Sequence, residues 1–154
     1  MSRPLQIFLG LLRIAAGISL LGPAFHKLSW FAHPALEPHL SGWLSHASNP
    51  LTAKYLHLVI PHSAVLARVV AAGELGLGAM LLFGFLTPLA AALAFLMVAN
   101  FHFASGAMLS LDYVTGQDGL VYLLVFPALL FGRAGLALGV DGLLGKKMSA
   151  GARK

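Results

Sequence analysis

Four long runs of apolar residues leave this chain few ways to fold. They cover about 5–28, 62–83, 88–104 and 119–138, and a membrane-spanning helix needs ~20 mostly apolar residues. Inside hydrocarbon every backbone N–H and C=O must find a partner within the protein, which an α-helix provides for itself. Of the 154 residues, 58% are hydrophobic and 10% charged, against ~25% charged in an ordinary soluble domain. The sequence therefore predicts a single all-α domain over residues 1–154, an integral membrane four-helix bundle in contact with the lipid bilayer.

The first run starts like a secretory signal, with Arg3 ahead of apolar residues. It is too long for a signal core, contains Arg13 and leads into His26-Lys27 rather than a small-x-small cleavage site, so a retained helix is expected. The second run carries Arg68 and Glu74 and is dense in Gly and Ala. The third begins at Pro88, a first-turn position following Thr87. The fourth contains Pro127 and Arg133, and a kink is expected at the proline. Only Gly84-Phe85-Leu86-Thr87 joins the second run to the third, so these two helices must be antiparallel neighbours.

Residues 29–61 have another character. Trp30, Phe31, Trp43 and Tyr55 occur there with four prolines and with His33, His39, His46 and His57. Such a segment is expected at the membrane interface, with short surface helices such as 50–57. Lys and Arg set the orientation: Arg3 precedes the first helix, and Lys146, Lys147, Arg153 and Lys154 lie in the tail 142–154. The loop 105–118 holds two acids and no base. Both termini are therefore expected in the cytoplasm and the aromatic loop outside.

The net charge of +5 forms no basic patch with interleaved aromatics, which argues against nucleic acid as a partner. Absence of cysteine excludes a thiol nucleophile and any Cys-bound zinc or iron–sulfur site. His57 and His62 lack regular metal-ligand spacing, so no metal site is expected. A bundle can also hold haem between its helices. The membrane runs contain neither a His-x-x-x-His pair nor a haem-attachment motif, which disfavours that cofactor.

A charge in mid-membrane costs roughly 2.5–3.5 kcal/mol on insertion scales, so each one needs a reason. With a ~1.5 Å rise per residue, Arg13 should lie about 12 Å, and Glu74 about 15 Å, above the cytoplasmic helix ends. A buried Arg13–Glu74 ion pair follows, with Arg13, Gly17, Leu20, Ala24 and Lys27 on the helix face turned to the second helix. Arg133 either reaches this inner layer or Asp141, or snorkels to the surface. An outer polar layer would gather His26, Lys27, Arg68, Asn100, His102 and Asp118 around one outward cavity, although each has an ordinary structural reading as a snorkelling, capping or hydrogen-bonded residue.

Four pieces of sequence resemble the DoxX family, small bacterial four-helix membrane proteins related to the membrane subunit of thiosulfate:quinone oxidoreductase. They are Arg13-Ile-Ala-Ala-Gly17 with Lys27; Gly73-Glu74-Leu75 with Gly78 and 83–88; Asn100-Phe101-His102; and Gly132-Arg133-Ala-Gly135 with Asp141-Gly142. The resemblance implies a redox-linked subunit, partnered by other proteins or by copies of itself, with a quinone or similar apolar ligand among the helices. In that reading His102, Lys27 or Arg68 holds the ring carbonyls, and Asp118 or a histidine relays protons. The rival expectations are a non-catalytic assembly subunit and, third, a small transporter, which with four helices would need to oligomerise. The long histidine-rich first loop and the lack of cysteine set this chain apart from simple members and put thiosulfate chemistry itself in doubt.

Overall fold

The computed structural model describes residues 2–109, 113, 119–136 and 138–143. Among them are six α-helices and no strand: α1 (Arg3–His26), α2 (Glu37–Ser45), α3 (Pro50–Val59), α4 (Ser63–Phe83), α5 (Thr87–Ala104) and α6 (Gly119–Phe131). Helix α1 packs along α4, α4 against α5, α5 against α6, and α6 closes back on α1. Leu9, Leu20, Leu77, Leu81, Val98 and Phe126 fill the space between them. Large apolar side chains also cover the outside, among them Leu11, Ile18 and Phe25 on α1 and Leu89, Leu93 and Leu96 on α5. Helices apolar on every face suit a hydrocarbon solvent rather than water.

Three helical stretches are long and apolar enough to cross a membrane: Arg3–His26, Pro50–Phe83 and Thr87–Ala104. The second is longer than expected, because α3 runs into α4 through the 3-10 turn Ile60–His62 with Pro61 inside it. The third reaches full length. The fourth run gives 13 residues of regular helix, α6, which passes through Pro127 and ends at Phe131 in a series of turns.

Small residues set the contact between α1 and α4. Gly17 sits so close to α4 that a Cβ there would lie 2.7 Å from the Leu82 nitrogen and 2.9 Å from the Gly78 carbonyl oxygen. A Cβ on Gly78 would in turn meet Leu21 and the Gly17 carbonyl. In lipid, such close approach replaces the hydrophobic effect as the source of helix–helix affinity. The α1 stripe Arg13, Ala16, Gly17, Leu20 and Ala24 is buried against it.

This crossing shifts α1 relative to the expected register. Arg13 lies beside the α4–α5 turn, where a Cβ on Gly84 would coincide with its guanidinium. About 15 Å of α1, residues 3–12, thus extends past the turn, where Leu9 packs onto Gly132. The expected Arg13–Glu74 pair does not form, because the depth argument took the ends of α1 and α4 to be level. Arg13 instead is fully buried and donates from Nη2 to the Leu138 carbonyl at 2.9 Å.

Asp141 completes this cluster. Its carboxylate accepts from the backbone N–H groups of Leu86 (2.8 Å) and Thr87 (2.9 Å), while its own N–H donates to the Gly84 carbonyl (2.9 Å). The start of α5 is therefore capped from elsewhere in the chain rather than by Thr87, whose buried hydroxyl has no partner. Capping from afar holds a costly turn in place: Gly84 and Leu86 both have positive φ, 67° and 47°. The same carboxylate attracts Arg13 electrostatically without forming an ion pair. Both Asp141 oxygens are engaged by backbone, and Arg133 is exposed on the turn after α6 with no ion pair to Asp141.

Gly17→Val should destabilise the fold by about 1–3 kcal/mol through overpacking, seen as a lowered unfolding midpoint in detergent. Asp141→Ala, which uncaps α5, should cost about 1–2 kcal/mol. Asp141→Asn keeps one carbonyl acceptor and should lose less in the same assay.

Candidate functional site

At the end of the helices opposite the Gly84 turn, residues 28–62 fold over the bundle as a cap. A 3-10 turn (Leu28–Phe31), α2 and α3 enclose a second apolar cluster of Leu36, Leu40, Leu56, Ala67 and Ala104, joined by Trp30 and Trp43. Asn49 starts α3 by accepting from the Leu51 N–H, and the prolines Pro38 and Pro50 occupy first-turn positions where no N–H is missed. Polar side chains from the bundle tie the cap down. Arg68 donates from Nε to the Phe31 carbonyl (3.1 Å), and the Tyr55 hydroxyl donates to Asn100 Oδ1 (2.6 Å).

Beneath the cap lies the one ion pair found among the described residues, Lys27 with Glu74. Glu74 belongs to the α1-facing stripe Ala67, Ala71, Glu74 and Gly78, one turn from the glycine crossing. Lys27 ends α1, and its stem reaches back to the carboxylate. The ammonium is also 5.4 Å from the centre of the Trp30 ring and 5.8 Å from that of Phe101, within range of cation–π attraction. The pair borders a cavity of about 280 Å³ whose other walls are Pro23, Trp30, Trp43, His39, Val70 and Phe101. The His39 ring is tilted against Trp30 at 6.0 Å between centroids.

One atom in this site is unusual. Glu74 Oε1 meets Lys27, but Oε2 is buried with no hydrogen-bond partner. A buried carboxylate oxygen left unpaired is costly. The residue borders an apolar, aromatic-walled space of small-molecule size, with Oε2 itself covered. A wall of rings with a few convergent polar groups is the usual make-up of a small-ligand site.

Of the outer residues singled out from the sequence, Lys27 alone borders this cavity. His26 is exposed and does not line it. Arg68 and Asn100 fasten the cap. His102 packs edge-on against Tyr113 with ring centroids 5.2 Å apart, its Nδ1 buried and unpartnered. Asp118 lies outside the described residues. The expected six-residue cavity is thus replaced by one drawing on Glu74, which had been assigned to the inner layer, and on Trp30, His39, Trp43 and Phe101. A hint was available: Lys27 and Trp30 are three residues apart, and the two tryptophans are the only ones in the chain. Among the described residues no cluster of three or more His, Cys, Asp or Glu side chains could hold a metal.

The apolar exterior and the three helices long enough to span define a membrane-embedded helical protein. A sequence model of the DoxX family, described as DoxX, matches residues 8–107, about two thirds of the chain. The chain belongs to the DoxX family. The match covers the crossing of α1 and α4, the cap and both charges of the Lys27–Glu74 pair, and stops short of α6 and the 132–142 turns. No match is found among curated proteins or among solved structures.

Removing one member of a buried pair strands the other, which costs more than removing both. Glu74→Ala should therefore lower folded yield in detergent, and Lys27→Met added to it should restore part of the loss. Arg13→Gln added to Glu74→Ala should restore nothing, and rescue by it would mean that Arg13 is the true partner.

Proposed function

We propose that this DoxX protein is a redox-linked membrane subunit that binds a quinone ring in the cavity beneath its cap. The supporting observation is the Lys27–Glu74 pair, with one carboxylate oxygen left unpartnered, at the wall of an aromatic-lined cavity. Lys27 keeps ammonium protons that Glu74 Oε1 does not use, and one of these donates to a ring carbonyl. The Glu74 carboxylate, an acceptor, accepts from the hydroxyl of the reduced ring. In reduction of the quinone two electrons arrive from a partner and two protons from the aqueous phase, one of them passing through Glu74. Trp30, Trp43 and Phe101 cover the ring faces. The electrons come from a redox group on a partner protein, because the chain has no cysteine with which to hold an iron–sulfur centre or a dithiol.

In the same proposal the chain crosses a bacterial inner membrane four times. Helix α6, with a rise of about 20 Å, and the turns that follow it make the last pass. Both termini lie in the cytoplasm, consistent with Arg3 at one end and the lysine-rich tail at the other. The cap then faces outward, where an extracytoplasmic partner reaches the ring site.

Both tryptophans of the chain line the cavity, so fluorescence reads the site directly. Titrating the detergent-purified protein with a short-tailed ubiquinone or menaquinone analogue should quench emission saturably. Lys27→Ala should weaken binding roughly tenfold or more, the loss expected for a hydrogen bond from a charged donor. His102→Ala should leave it unchanged. Quenching that never saturates, or that ignores Lys27, would rule out the ring site and leave the assembly-subunit reading in its place.

A further inference from the structure

A second cavity, of about 220 Å³, opens between α1 and α6, lined by Leu12, Ala15, Ala16, Ser19, Val121 and Val125. Its single polar side chain is turned away from use: the Ser19 hydroxyl donates to the Ala16 carbonyl at 2.8 Å, so the wall is effectively apolar. The room exists because Ala15, Ala16 and Ser19 are small where they face the two valines.

The groove and the cavity beneath the cap share no lining residue, but both border one face of α1. Leu12, Ala16, Ser19, Pro23 and Lys27 follow one another at three- and four-residue spacing, which places them along one face of α1. Ser19 lines the groove and Pro23 the ring cavity, one turn or about 6 Å apart along the axis. A molecule seated against Pro23 and Lys27 and extending toward the membrane interior meets this groove next. We infer that the groove holds the apolar tail of the ligand, so that the protein selects a quinone with an isoprenoid or alkyl chain over the bare ring. The inference rests on the ring site proposed above. It deepens that reading by dividing recognition between a polar head pocket and an apolar tail groove about 10 Å long from Leu12 to Ser19.

The division makes affinity depend on the tail in a way one wall residue can abolish. Ala15 is exposed to the groove, so Ala15→Phe fills it without displacing the core. Tryptophan quenching is measured with a tail-less quinone and with analogues carrying one and two isoprene units, in wild type and in Ala15→Phe. In wild type the two-unit tail should tighten binding at least tenfold over the bare ring, since each buried methylene contributes favourably. Ala15→Phe should remove most of that gain and leave the tail-less compound unchanged. Val121→Phe, from the opposite wall, should do the same. Partition of the tail into detergent is common to all three proteins and cancels in the comparison.

Parallel tail series in all three proteins would overturn the groove while leaving the ring site intact, and would assign the groove to ordinary lipid. If the tail-less quinone fails to bind wild type in a Lys27-dependent manner, the ring site itself is overturned and the groove with it. A wild-type measurement guards against variants that fold poorly: an azide at the tail end should label 12–19 or 121–125 on illumination, and labelling elsewhere overturns the proposal.

Discussion

The close crossing of Gly17 on Gly78 governs where every buried charge in this protein lies. With no side chain on either residue, backbone meets backbone, and a Cβ at either position would clash in the register the two helices adopt. From that point Arg13 is one turn along α1 in one direction and Lys27 two to three turns in the other. The first is thereby delivered to the Gly84 turn and the second to Glu74. A shift of one turn would leave a guanidinium or a carboxylate buried without its partners, which lipid penalises heavily.

The two charged centres do different work. Arg13, Asp141 and the backbone of the 84–87 turn interlock the far end of the bundle: a carboxylate caps α5 from 54 residues away, and a buried guanidinium holds the Leu138 carbonyl. The side-chain hydrogen bonds of that cluster all run to backbone, and the Arg13 guanidinium lies closely over Gly84 and Gly139. Lys27 and Glu74 face the opposite way, toward a cavity, and one carboxylate oxygen is left over. The first works as structure, because one carboxylate holds the turn through two backbone N–H groups. The second leaves a carboxylate oxygen unpaired in a residue that borders an aromatic-walled cavity.

The cap explains how a short chain can build such a site. A helix bundle alone offers a flat apolar end, whereas here the 3-10 turn Leu28–Phe31 and α2 bring two tryptophans and a histidine over the top of α1, α4 and α5. Arg68 and Asn100 serve as its fastenings. Their polar side chains, conspicuous in apolar helices, could be read equally as ligand residues or as anchors while their partners Phe31 and Tyr55 were unplaced.

Apolar length and the lack of charge were enough, in the sequence alone, to establish a helical membrane protein, the antiparallel pairing of α4 with α5 across the four-residue turn, and a distinct aromatic segment between α1 and α4. These are local properties, set by periodicity, by run length and by the solvent the side chains require. The small-residue face of α4 and the stripe from Arg13 to Lys27 were legible for the same reason. Which cation meets Glu74 was not, because pairing depends on the relative slide of two helices, and helix ends read from hydropathy carry no information about slide. Capping of α5 by Asp141 was hidden likewise, since a contact between residues 54 apart leaves no trace in local pattern. Tertiary packing alone decided the register, through backbone contact at two glycines, and with it which charges close the fold and which remain free for a ligand.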